Sequence, residues 1–383
     1  MDVNVISIDG SSVSSSSVSG SSVNGSAGCR RCESLPPKIS GPGTLHMQFP
    51  LAHSYNKILT YLRSSGLEYS QQGERVSVNV GSVDLAPVVA PLMDVLSSTE
   101  QADVRVLFQA RGREMDVNSY FEVESLHGFI TKAQSGWLLD MMAENRLTTW
   151  FQPIVKCQES GQVYAYECLL RGQDNQGTVF PGRILDVARG AGLLFQLDRA
   201  ARLTNITNAH RQGIKSHIFI NFTPTSIYDP VNCLRSTVKA VDEMGLQRSQ
   251  VIFEVIESEL VRDVPHLKEI LDYYRASGFR VALDDVGSGY SSLNMLGQLR
   301  PDYIKLDREL ISGVQHDSYK AVIAQKLLET AQELKIQTIT EGIEEEGEFH
   351  WARDHGADYA QGYYFARPAA IPPMLENQLA AAQ

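Results

Sequence analysis

A TIM-like (β/α)8 barrel with an irregular, antiparallel first strand, preceded by a small α+β module, is the fold class this sequence predicts. Three observations carry that expectation. From residue 148 onward, short runs rich in β-branched and aromatic residues alternate with helical stretches. Eight such runs fall between residues 148 and 370, a strand number and a span that suit a closed barrel better than an open doubly wound sheet. Seven of the eight runs carry polar residues at or near their ends, where a barrel gathers side chains on one face.

Residues 1–44 are rich in Ser and Gly (SSVSSSSVSGSSVNGSAG) and end in LPPKISGPG. Such a composition buries too little apolar surface to offset chain ordering, so a disordered or loosely docked tail is expected. It contains CRRC, with Cys29 and Cys32 spaced as half of a zinc site or as a redox pair. Zinc needs two further donors, and His46 and His53 stand at no recognisable spacing, so a tail motif without a ligand is the competing reading.

Residues 45–135 form the expected α+β module, read as regulatory. SYNKILTYLRSSG has helical periodicity, whereas RVSVNVGSVDL and DVRVLFQARG read as extended. A helix over GWLLDMMAENRL (136–147) then leads into the barrel, assigned to 136–383. Its strand candidates are TWFQPIV, VYAYECLL, HIFINFTP, VIFEVIES, RVALDD, YIKLD, QTITEGI and YAQGYYFARP. RAARLTNITNAHRQG, VNCLRSTVKAVDEMG, LKEILDYYRASG and YKAVIAQKLLETAQELK supply helices between most of them. KCQESGQ, between the first two strands, is too short for a crossover helix, which predicts the antiparallel start.

Composition narrows the function classes. The chain has 383 residues and 43% apolar content, enough for one large domain and a smaller one. Its net charge of −11 disfavours binding to duplex nucleic acid, which depends on neutralising phosphates with cationic side chains. No apolar run approaches the ~20 residues of a membrane span, so no membrane insertion is expected. MDVNVISIDGSS lacks the basic and apolar regions of a secretory signal, and Cys157, Cys168 and Cys233 lie singly in element interiors. A cytoplasmic location is the expectation.

The strand ends carry Glu167, Asn221, Glu254, Asp284, Asp285, Lys305, Glu341 and Gln361. Any one of them could be a solvated loop residue or a satisfied interior polar group. Together they put at least five carboxylates at one mouth, where each close pair would repel by about 1 kcal/mol or more at an effective dielectric near 20. A divalent cation removes that conflict, and oxygen donors with one amide favour Mg²⁺ or Mn²⁺ over zinc. In VALDDVGSGYSSL the adjacent Asp284 and Asp285 reach different positions only if the strand ends there, and Gly287 and Gly289 allow the turn. Such a pair could serve two metals about 3.5 to 4 Å apart, the arrangement suited to phosphoryl chemistry, with phosphate-ester hydrolysis as the reaction class. Lys305 could orient or deprotonate an attacking water, or form a structural ion pair; Arg171 could meet a phosphate, or lie at the surface.

FQPIV, YECLLRG, FINFTP, FEVIESE, DDVGSGYSSL, PDYIKLD, TEGIE and QGYYFARP, in that order over 148–370, resemble the EAL domain family of cyclic di-GMP-specific phosphodiesterases. The name-giving triplet reads Glu167, Cys168, Leu169, with Cys replacing a central alanine that is not a ligand. The resemblance implies first-metal ligands at Glu167, Asn221, Glu254 and Asp284, and positions at the second metal and its water for Asp285 and the catalytic Glu341. It implies a water-orienting or general-base role for Lys305, a supporting role for Gln361 and substrate contacts at Gln152 and Arg171. Glu257 matches the glutamate that anchors the loop after the paired aspartates, a loop in which Val286 and Ser288 replace the Phe and Thr of many relatives. The implied reaction is hydrolysis of cyclic di-GMP to linear pGpG, supported by Mg²⁺ or Mn²⁺ and inhibited by Ca²⁺, in a homodimer formed through the barrel. A catalytically silent cyclic di-GMP receptor and a protein-interaction platform are the alternatives.

Overall fold

The computed structural model describes residues 34–159, 162–256, 263–287 and 292–375. Cys29, Cys32, Glu257 and the loop 288–291 lie outside the described residues, as does most of the Ser/Gly-rich tail.

The first sheet is antiparallel throughout, in the order β2-β3-β1-β4-β5, from β1 (Gly43–Gln48), β2 (Tyr69–Gln72), β3 (Arg75–Val80), β4 (Arg105–Ala110) and β5 (Glu124–Ser125). Alternation in β3 explains its orientation, since Val76, Val78 and Val80 are buried while Arg75 and Asn79 are exposed. The helix Ala52–Ser65 lays Ile58, Leu59 and Leu62 on this sheet, and the helix Leu126–Gln134 adds Leu126, Phe129 and Ile130 to the same core. The small α+β module read from the sequence is therefore present.

Nine strands follow: β6 (Leu147–Lys156), β7 (Val163–Asp174), β8 (Gly177–Val179), β9 (His217–Asn221), β10 (Val251–Ile256), β11 (Arg280–Val286), β12 (Tyr303–Leu306), β13 (Gln337–Thr340) and β14 (Tyr359–Gln361). β8 is a short hairpin partner of β7. The other eight close into a barrel, because β6 pairs with both β7 and β14. Both of those pairings are antiparallel, whereas β7 and β9 through β14 pair in parallel around the rest of the circle. The antiparallel first strand follows from the short β6–β7 connection, as expected.

Helices alternate with the parallel strands and cover the barrel, among them Leu194–Arg211, Arg235–Glu243, Val264–Ala276, Ser318–Leu334 and Glu346–Asp354. Outward residues such as Phe253, Val255, Val281, Leu283, Ile304 and Leu306 share one core with the helix residues Leu271, Tyr274 and Leu328. Inside the barrel, each of the eight strands contributes one apolar residue to a separate cluster: Ile154, Ala165, Phe219, Ile252, Ala282, Tyr303, Ile339 and Tyr359. That cluster is a packed floor, and what lies above it is decided by the strand period of two.

Local differences from expectation have backbone causes. The leading helix stops at Ala143, because Asn145 takes φ +54°, and Leu147 already belongs to β6. VNCLRSTVKAVDEMG divides into Pro230–Cys233 and Arg235–Glu243 about Leu234. β14 ends at Gln361 because the next residue passes against β13's loop: a Cβ built on Gly362 would stand 2.4 Å from the nitrogen of Ile343, which only glycine permits.

Candidate active site

Two residues on from each floor residue, on the same inward face, stand Glu167, Asn221, Glu254, Asp284, Lys305, Glu341 and Gln361. On the antiparallel β6 the same step runs backward, from Ile154 to Gln152. Eight of the residues singled out in the sequence thus converge above one apolar floor, at the C-terminal end of the parallel strands, where (β/α)8 proteins assemble their chemistry.

The Lys305 ammonium occupies the middle of this group and is 1% exposed. It lies 2.6 Å from Glu341 Oε1, 3.2 Å from Glu254 Oε1, 3.3 Å from Asp284 Oδ1 and 3.5 Å from Glu167 Oε2. Burial works to neutralise it, but Asp284, Glu167, Glu254 and Glu341 outweigh that and hold its pKa well above the ordinary lysine value. In this arrangement Lys305 is a charged donor.

Glu167 is the best-supported carboxylate. Its Oε1 accepts from Asn221 Nδ2 at 3.1 Å and its Oε2 from Gln361 Nε2 at 2.7 Å. Burial opposes ionisation, yet Lys305 and these amide donors hold its pKa below the ordinary glutamate value. Gln361 Nε2 also donates to Gln152 Oε1 at 3.2 Å, and Gln152 donates to the Ala366 carbonyl at 3.4 Å.

Glu254 has the opposite environment. It is fully buried, and among the described residues neither carboxylate oxygen has a hydrogen bond, although Oε1 is within ion-pair range of Lys305. Burial, with Glu167, Asp284 and Glu341 nearby, pushes its pKa well above the ordinary value. Burial likewise raises Asp284, and raises Glu341 to about 8. A buried carboxylate without hydrogen bonds is costly unless a cation answers it.

Asp285 reaches the site by a different route from the one expected. β11 does not end at the paired aspartates. It bulges between Leu283 and Val286, Asp285 takes φ +58°, and Val286 pairs again with Leu306. A bulge places consecutive residues on one side of a strand, and aspartate tolerates the left-handed conformation better than most residues. Gly287 follows at φ +106° and turns the chain away. Asp285 is raised to about 6 by burial and by Asp284, with Asp307 adding a side-chain hydrogen bond.

The geometry contains two oxygen-donor sets. Ligand atoms of Glu167, Glu254 and Asp284 lie within 4.8 Å of one another, and so do those of Asp284, Asp285 and Glu341, the two sets sharing Asp284. Carboxylate oxygens in this number, with the amide of Asn221 adjoining, suit a hard divalent cation, and the buried oxygens of Glu254, which among the described residues have Lys305 nearby but no hydrogen bond, fit the same conclusion.

Arg171 lies further out along the inward face of β7, two steps beyond Leu169. It is 6% exposed, so it is not a surface arginine. Its guanidinium is 5.0 Å from the centroid of the Trp150 ring and 5.4 Å from that of Phe180, Nη1 donates to the Leu170 carbonyl at 2.8 Å, and the buried Nε has no hydrogen bond among the described residues. Stacking between rings holds the planar group at the rim with donors to spare.

Three neighbours escaped the sequence reading. Trp150 lies two residues before Gln152, and Asp307 two residues after Lys305, so the strand period was a usable signal for both. Phe180 starts a helix after β8, and nothing local links it to Arg171.

Compared with known families, residues 135–368 match the family described as "EAL domain". Cyclic di-GMP phosphodiesterase NbdA of Pseudomonas aeruginosa is 27% identical over 246 residues, covering 62% of this chain and 31% of that protein. The probable cyclic di-GMP phosphodiesterase PdeG of Escherichia coli K12 is 29% identical over 240 residues, covering 60% of this chain and 46% of PdeG. The chain thus spans less than half the length of these curated relatives. A crystal structure of a standalone versatile EAL protein from Vibrio cholerae O395, in its c-di-GMP bound form, is 34% identical with a TM-score of 0.56, covering 61% of this chain and 97% of that one.

Proposed function

The chain belongs to the EAL domain family, and from that premise we propose that it is a metal-dependent phosphodiesterase that hydrolyses cyclic di-GMP to linear pGpG in bacterial second-messenger signalling. The observation that carries this reading is the pair of donor sets sharing Asp284, with Lys305 among them and Arg171 at the rim. The names of the relatives above support the substrate.

In this proposal Glu167, Asn221, Glu254 and Asp284 hold one Mg²⁺ or Mn²⁺, and Asp285 and Glu341 join Asp284 at a second. Two such cations would supply Lewis-acid stabilisation of the phosphoryl oxygens and make water more acidic. Lys305, ion-paired to these carboxylates, stands where it can orient the attacking water or take its proton. Glu341 Oε1 fixes the direction of that ammonium. Gln361 holds Glu167 in place, and Gln152 and Arg171 receive the substrate. One water enters: its oxygen bonds to phosphorus as the P–O bond to one ribose oxygen breaks, and that oxygen leaves as a hydroxyl with one of the two protons of the water, the other remaining with the new terminal phosphate. Ca²⁺, larger and less strict in geometry, would occupy the site unproductively.

The same proposal assigns residues 1–44 to a tail, 45–135 to a regulatory module and 136–383 to the catalytic barrel, with no membrane insertion; among the described residues no helix is long and apolar enough to cross a membrane. The homodimer through the barrel also belongs here. Tyr319, Val322 and Ile323 stand exposed at positions i, i+3 and i+4 of the helix Ser318–Leu334, an apolar strip that a second copy would cover.

The test is product analysis after incubating the protein with cyclic di-GMP and Mg²⁺, beside a Glu167→Ala variant. Linear pGpG from the wild type and none from the variant is the expected result. Unchanged hydrolysis by Glu167→Ala would sink the assignment.

A further inference from the structure

Glu348 lies at the start of the helix Glu346–Asp354, outside the barrel mouth, and yet is a carboxylate only 3% exposed. Its Oε1 accepts from the Gly313 backbone N–H at 2.8 Å. Its Oε2 accepts from the N–H groups of Glu344 at 2.8 Å and Glu345 at 3.1 Å. The Glu345 bond is half of a helix capping box; the Gly313 bond is not, since Gly313 belongs to another loop.

The two loops are those that follow β12 and β13. Gly313 follows β12, which carries Lys305, and the short helix Arg308–Ile311, whereas Glu344 and Glu345 follow β13, which ends at Thr340, one residue before Glu341. Lys305 and Glu341 make the shortest ion pair in the site, at 2.6 Å. The Glu344 loop also receives β14, through the Ile343 N–H donated to the Gln361 carbonyl at 3.0 Å. The other side-chain ties between these loops are more exposed: Arg308 to Glu344 at 2.8 Å and Gln315 to Glu345 at 3.3 Å. The buried, charge-assisted tie is the stronger restraint.

We propose that Glu348 is a positioning residue that clamps these two loops and thereby fixes Glu341 against Lys305. The proposal rests on the phosphodiesterase reading for its kinetic consequence, while its structural content concerns the second donor set alone. Glu348 touches neither substrate nor ligand atoms, so it acts through the backbone that ends β12 and β13.

The experiment measures turnover of cyclic di-GMP, Mn²⁺ affinity by titration of the metal-stripped protein, and melting temperature for wild type, Glu348→Ala and Glu348→Gln. Loosening a reacting group lowers turnover more than substrate binding, so Glu348→Ala is expected to lose about tenfold or more in kcat with KM changed less than about twofold. Mn²⁺ affinity should fall about tenfold, as when the support of a metal ligand is removed. Glu348→Gln keeps one acceptor oxygen and should fall between the two. Wild-type kcat and Mn²⁺ affinity in Glu348→Ala, with only a lower melting temperature, would overturn the proposal. Should Glu348→Ala fail to fold, Glu348→Gln decides: an intermediate loss in kcat and Mn²⁺ affinity supports the clamp, and wild-type values refute it. Absence of turnover in the wild type refutes the phosphodiesterase reading separately, and the Mn²⁺ titration then still decides the clamp.

Discussion

Gln361 Nε2 donates a 2.7 Å hydrogen bond to Glu167 Oε2 and a 3.2 Å bond to Gln152 Oε1, so one amide at the end of β14 ties β7 and β6 together at the barrel mouth. Removing it frees Glu167 on one side and leaves Gln152 without its donor. Gln361→Ala should therefore weaken divalent-cation binding by about 10- to 100-fold, the usual cost of losing the partner that orients a ligand. Calorimetric titration with Mn²⁺ checks this, and wild-type affinity in the variant would show that Glu167 needs no such support.

The left-handed backbone of Asp285 separates conformation from chemistry. Asn tolerates φ +58° about as well as Asp but carries no charge, whereas a β-branched residue pays about 1–2 kcal/mol there. Asp285→Asn should keep the stability of the wild type and lose turnover. Asp285→Val should lose both, and denaturant melts that place the two variants at equal stability would contradict the bulge.

Protonation gives the proposed metal site a direction of pH response. Burial holds Glu341 up to about 8 and Asp285 up to about 6, so below those values the metal-free protein carries protons that a cation must displace. Mn²⁺ affinity should therefore rise with pH across roughly 6 to 8, by up to about tenfold per unit for each proton displaced. Binding should release protons to the buffer. Titrations at several pH values, in buffers of different ionisation enthalpy, measure both quantities; a flat affinity with no proton release would contradict the buried-carboxylate account.

Much of the site was legible in the sequence, and for a specific reason. In a strand the side-chain period is two, so a polar residue two places beyond a buried apolar one faces the same way; Ala165 then Glu167, and Tyr303 then Lys305, are readable without coordinates. Asp285 was readable as a residue but not as a position, because a bulge adds one residue to one strand and leaves no mark in composition. The cage around Arg171 needs Phe180, brought in by the β7–β8 hairpin, and the charge state of Lys305 depends on four strands at once. Glu348 was invisible for a different reason: its partners are backbone N–H groups, which every residue has.

In the proposed function the mouth of this barrel breaks a phosphodiester bond and does more than hold the dinucleotide. The most direct measurement is a time course of cyclic di-GMP with metal-stripped protein to which Mg²⁺, Mn²⁺ or Ca²⁺ is returned, with products separated by chromatography. Linear pGpG should accumulate with Mg²⁺ or Mn²⁺, and none should form with Ca²⁺ or chelator. Intact cyclic di-GMP that stays bound in the presence of Mg²⁺ and Mn²⁺ would contradict it and mark the chain as a receptor.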